Sequence, residues 1–126
     1  MSDHTYLPVV FLYTQRRQEI DGATRFQKLV FLSQEEGKVS DTYAFHADNY
    51  GPYSPGLHDD LRSLERGGLI EKKTITNAAG NEKHVFSLQP KGIRVAQRLL
   101  QTDSYDALFE TVDNVKERFN EEPLDW

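Results

Sequence analysis

The sequence predicts a mainly helical α+β domain, and three observations predict it. Apolar residues recur at helical spacing in five separate stretches. Two extended runs, "LIEKKTITN" and "EKHVFSLQP", flank the loop-forming "AAGN" as a β-hairpin. The 126 residues contain no cysteine and suffice for one core rather than two, so disulfides, thiolate zinc sites and cysteine nucleophiles are excluded.

The run Leu7 to Glu19 predicts the first helix, with Pro8 tolerated in its opening turn, where the missing N–H costs nothing. Asp21-Gly22 breaks the chain. In "ATRFQKLVFLSQEEG", Phe26, Leu29, Val30 and Leu32 or Ser33 give a second helix with a wide apolar face, Thr24 as its cap and Gly37 as its stop. "TYAFHADNY" alternates loosely, with Tyr43 and Phe45 on one side, as a short connecting strand. The stretch "YGPYSPGLHDDLRSLERGGLI", from Tyr50 to Ile70, is the most legible. Ser54 caps a third helix and Pro55 is preset for its first position. Leu57, Leu61 and Leu64 mark one buried stripe, and Gly67-Gly68 supplies the positive φ that ends such a helix. The hairpin spans 69–88, with Val85, Leu88 and, as a further candidate, Phe86 packing down. Pro90 opens a fourth helix through "KGIRVAQRLLQ", with Ile93, Val95 or Ala96, Leu99 and Leu100 apolar. A fifth starts at about Tyr105 and carries Leu108, Phe109, Val112, Val115 and Phe119, before an irregular "NEEPLDW". This order is that of a winged helix-turn-helix over residues 1–98 with a C-terminal helical extension over 99–126. Its third helix is the presented one and its hairpin is the wing.

Two patches also resemble a known family. "RFQKLVFLSQEE" is similar to the "(K/R)-x-Q-K-L-(V/L)-(F/Y)-L" helix, and Tyr50 to Ile70 to the aromatic-Gly-Pro-aromatic-Ser segment, of the YwgA-like winged-helix proteins of bacteria and archaea. The first patch and the Tyr-Gly-Pro core also resemble the Panacea domain found in antitoxins, from which the full "GLIEKK…EKHVFSL" wing departs. The resemblance covers roughly residues 22–72 and implies the fold; a biochemical role has to be argued from a site.

Charge is distributed unevenly. The net charge is −5, yet residues 71–98 carry six basic and two acidic side chains, and residues 99–126 carry two basic and eight acidic ones. The basic segment includes the wing residues Lys72, Lys73, Lys83 and His84, placed to touch phosphates. On the third helix His58, Arg62, Ser63 and Arg66 form the groove-facing set. Arg62 also stands at pairing distance from Asp59 or Glu65 along the helix, and intrahelical pairing is the expectation. Arg16, Arg17, Arg25 and Lys28 make a second basic set. A solvated-surface reading accounts for these cations equally well.

The turn Tyr50, Gly51, Pro52, Tyr53 and Ser54 reads first as a packing bracket that aims the third helix, and second as a source of phosphate-contacting hydroxyls. The stripe Leu108, Val112, Val115 and Phe119 reads as a dimerisation surface, with folding back onto the core or docking on a partner protein as alternatives. Leu124 and Trp126 extend that last option. "HAD" and "HDD" lack further ligands at recognisable spacing, and neither a phosphate-cradling glycine loop nor a nucleophile elbow is present. The expectation is therefore no metal, no cofactor and no enzyme. The apolar run Leu7–Tyr13 precedes its arginines and is too short for a membrane span, which points to the cytoplasm. The function expected is a DNA-binding, dimeric winged-helix regulator of transcription. The alternative is a protein-interaction module of the same fold, such as an antitoxin-like or defence-system partner.

Overall fold

Helix α1 (Leu7–Arg17), strand β1 (Ile20–Asp21) and helix α2 (Ala23–Glu35) open the chain in the computed structural model, which describes residues 6–36, 42–49, 51–102 and 105–123. A ribbon of β2 (His46–Asp48) and β3 (Gly51–Tyr53) leads into α3 (Pro55–Arg66). The hairpin β4 (Ile70–Thr76) and β5 (Glu82–Leu88), then α4 (Pro90–Leu99) and α5 (Asp106–Phe119), complete an α+β arrangement. The main sheet is antiparallel in the order β1-β5-β4, and β2-β3 stands apart as a second, two-stranded sheet. Among the described residues no helix is long and apolar enough to cross a membrane.

Local chemistry sets α3 at both ends. Ser54 Oγ accepts from Leu57 N at 3.3 Å and Pro55 occupies the first helical position. At the other end Leu69 N donates to Leu64 O and Gly68 N to Glu65 O, with Gly68 at φ +77°, the paired bonds of a Schellman stop. Leu57, Leu61 and Leu64 are buried, each removal from water worth on the order of 2 kcal/mol. In the core, Phe26 of α2 lies between Phe11 of α1, at 6.2 Å between ring centroids, and Phe86 of β5, at 5.4 Å.

Several expectations are corrected. The first helix is regular only to Tyr13: Thr14 turns extended, and Gln15, Arg16 and Arg17 sit at positive φ. Thr24 lies inside the first turn of α2, whose cap is Gly22, so it does not cap that helix. β1 pairs with β5, Ile20 opposite Phe86, where only a chain break was expected. Gly51–Tyr53, expected as part of a turn, is half of a ribbon, with Ala47 opposite Pro52. The stop expected at Gly37 lies outside the described residues.

The dimerisation stripe is corrected as well. Val112 and Val115 are completely buried within the single chain, and Leu108 and Phe119 pack partly buried against the same core. α5 lies on α1 and α2, so the stripe that would join two copies already fills the interior of one. Leu124 and Trp126 lie outside the described residues.

Candidate nucleic-acid interface

A groove of about 360 Å³ runs between α3, the β4–β5 hairpin and the first turn of α2. His58, Leu61, Arg62 and Glu65 line its α3 side, at the spacing of one helical stripe. Lys72, His84 and Phe86 line the hairpin side. Cross-strand register explains that selection: Lys72 is opposite Phe86 and Thr74 opposite His84, so these four share one pleat face. His84 Nδ1 lies 3.1 Å from Thr74 Oγ1, which fixes the ring beside the groove.

The same register sends the other two hairpin lysines away. Lys73 is opposite Val85 and Lys83 opposite Ile75, on the reverse face. There Lys73 approaches Glu71 at 3.8 Å, and Lys83 approaches Asp21 at 3.1 Å. The expected quartet of phosphate contacts is therefore divided: Lys72 and His84 face α3, whereas Lys73 and Lys83 face outward beside carboxylates.

Arg62 corrects its own expectation. It is exposed and has no ion-pair partner among the described residues, so neither Asp59 nor Glu65 neutralises it. Lys72 is likewise without a carboxylate partner. Ser63 and Arg66 are exposed on α3 but do not line the groove. Asp60 is turned to other use: its Oδ2 accepts from Tyr43 Oη at 2.6 Å. Burial, and then this bond, hold the Tyr43 phenol above its usual range.

The helix-entrance turn is held by α2. Gln27 Nε2 donates to Ser54 O at 3.1 Å, and Ser54 N donates to Gln27 Oε1 at 2.8 Å, so one amide side chain replaces a strand neighbour. Seven residues along, Gln34 does the same to Tyr43, donating to its carbonyl at 3.0 Å and accepting from its N–H at 2.9 Å. Gly51 is required where it stands: at φ +122°, a Cβ there would meet Lys28 Cε at 2.8 Å. Gly51, Pro52 and Tyr53 form the groove's rim, and the Tyr53 ring lies between those of His46 and His58, 5.6 and 6.3 Å away. Ser54 is buried as a cap and offers nothing to a ligand. Tyr50 lies outside the described residues.

Of the second basic set, Lys28 is buried and Arg25 Nη1 donates to Phe119 O at 3.0 Å, so both belong to the framework. Among the polar lining residues, Thr24, Gln27, Asp48 and Glu65 were not among the expected contacts. Glu65 was legible from its spacing, seven residues after His58 and three after Arg62; Asp48 was not, because nothing in the short strand expected there tells which element it faces. The first turn of α2 adds the positive end of a helix to the groove. No protein-family model matches the chain, and comparison with curated proteins finds no matching relative.

Proposed function

We propose that the chain is a winged-helix DNA-binding regulator, with α3 as its presented helix, the β4–β5 hairpin as its wing, and a DNA strand received in the groove between them. One observation carries this reading: Arg62 and Lys72, each without a carboxylate partner among the described residues, converge from two elements on one groove with His58 and His84. Phosphates gain from such cations by releasing counterions, and an arginine at helical reach can also read guanine. The α2 N-terminus, lining the groove through Ala23 and Thr24, supports it, since first-turn N–H groups of a helix have no intrahelical partner and suit an anion. Pairing through the α5 stripe is not part of the proposal.

The test is fluorescence anisotropy against the gene's own upstream duplex and a scrambled duplex, across a salt series. Arg62→Ala and Lys72→Ala should each weaken binding and reduce the log–log salt slope by about one. Lys73→Ala and Lys83→Ala should change little, because their charges lie on the reverse face beside Glu71 and Asp21. Equal losses at all four positions would sink the groove assignment. A second reading, a protein-interaction module, is favoured by Glu65 and Asp48 lining the same groove. Absence of salt-dependent binding to any duplex would favour it.

A further inference from the structure

A second cleft, also of about 360 Å³, lies between α4 and Tyr6 at the entrance to α1. Lys91, Arg94 and Arg98 line it with Val95 and Leu99, and among the described residues no acidic side chain does. The spacing of these residues places them on one outward stripe of α4. The stripe has a fixed position. A Cβ on Gly92 would collide with Leu69 O, so the start of α4 lies directly against the backbone that follows α3. Lys91 Nζ also donates to Gly67 O at 3.0 Å.

None of the three cations has a carboxylate partner among the described residues, whereas exposed Lys73, Lys83 and Arg118 each do. In a chain with 20 acidic side chains, three basic ones grouped with no acidic partner among the described residues form a local positive field. The walls are not polar throughout: Tyr6, Val95 and Leu99 are half-buried and leave apolar surface in the cleft. A volume at the lower end of small-ligand sites suits an anion joined to a single ring.

We infer that the α4 cleft binds a small phosphate monoester bearing an aromatic or other apolar group. The two guanidiniums and the Lys91 ammonium face the phosphate dianion, for which guanidinium pairs are the best-matched donors. Tyr6, Val95 and Leu99 cover the apolar group. This inference does not depend on the DNA reading, because the site shares no residue with the α3 groove.

The test is calorimetric titration of the full chain, without DNA, using phenyl phosphate, inorganic phosphate and phenol. Phenyl phosphate should bind about tenfold more tightly than inorganic phosphate, the gain expected from burying one face of a ring, and phenol should not bind measurably. The double variant Arg94→Ala/Arg98→Ala, altered only at exposed positions, should keep its melting temperature and lose phenyl phosphate binding by at least about tenfold. Arg62→Ala should bind as the parent does. Equal affinity for both phosphates would mean surface counterion binding and overturn the inference. So would undiminished binding by the double variant, or its loss of duplex affinity with no phenyl phosphate binding in the parent.

Discussion

Lys116 is completely buried, and its Nζ donates to Phe11 O at 2.7 Å and Thr14 O at 2.8 Å. Burial lowers its pKa from 10.5 to about 7, against an opposing pull from Asp113. A neutral amine retains two N–H groups, enough for both bonds. Between about pH 7 and 10 the unfolded chain therefore holds a proton that the folded chain lacks, and stability rises with pH on this group's account. Above about pH 10 the raised Tyr43 works in the opposite direction, since the unfolded phenol ionises first. Urea unfolding of the parent and of Lys116→Met across pH 7–10 should show a rise in the first that is absent in the second. Parallel curves would refute the assignment. Nothing in "NVKERF" announces this lysine: it follows a core valine on an amphipathic helix and has the composition of a solvated face. Its partners lie about a hundred residues earlier, beyond any local pattern.

The end of α1 shows how tertiary contacts override local propensity. "TQRRQE" consists mostly of good helix formers, yet Gln15, Arg16 and Arg17 adopt φ values of +52°, +57° and +62°. Left-handed backbone costs L-residues roughly 1–2 kcal/mol each. α5 and the two residues after it hold it: Gln15 N donates to Asp113 Oδ1 at 3.0 Å, Asn120 Nδ2 to Glu19 O at 3.0 Å, and Gln18 Nε2 to Glu121 Oε1 at 2.7 Å. The sign of one substitution decides the matter. Arg16→Gly should stabilise the protein by roughly 0.5–1 kcal/mol, because strain is relieved, whereas in a continuing helix it would destabilise by about as much. Denaturant midpoints measure the difference. Elements whose limits are local were legible: Ser54-Pro55 and Gly67-Gly68 bracket α3 within its own sequence. β1 and β3 were not, being two or three residues each, too short for a period to appear; of the connecting strand expected in "TYAFHADNY", β2 covers His46–Asp48.

Across the whole molecule, legibility failed where elements distant in sequence, or the register within the hairpin, had to be matched. His58, Arg62, Lys72 and His84 were expected together and line one groove, but the sequence cannot show that Lys73 and Lys83 face away, because a slip of one residue in register exchanges the two faces. The α5 stripe posed the same difficulty: its period shows that one face is apolar, not whether that face meets another copy or its own core. Buried Val112 and Val115 decide for the core, while Asp106, Glu110, Glu117, Glu121 and Glu122 remain exposed. A consequence follows for thermal unfolding. Stability that depends on pairing rises with protein concentration by mass action, and an internal helix gives none of that dependence. The melting temperature should stay constant over a hundredfold dilution series, and Val115→Asp should unfold the chain at every concentration, since it buries an unpaired carboxylate. A folded, monomeric Val115→Asp variant, with a parent whose melting temperature rises with concentration, would instead make α5 the joint between two copies. α1, with its left-handed turn, would then need a different partner for Phe11 O and Thr14 O, and the two measurements together leave no room for both arrangements.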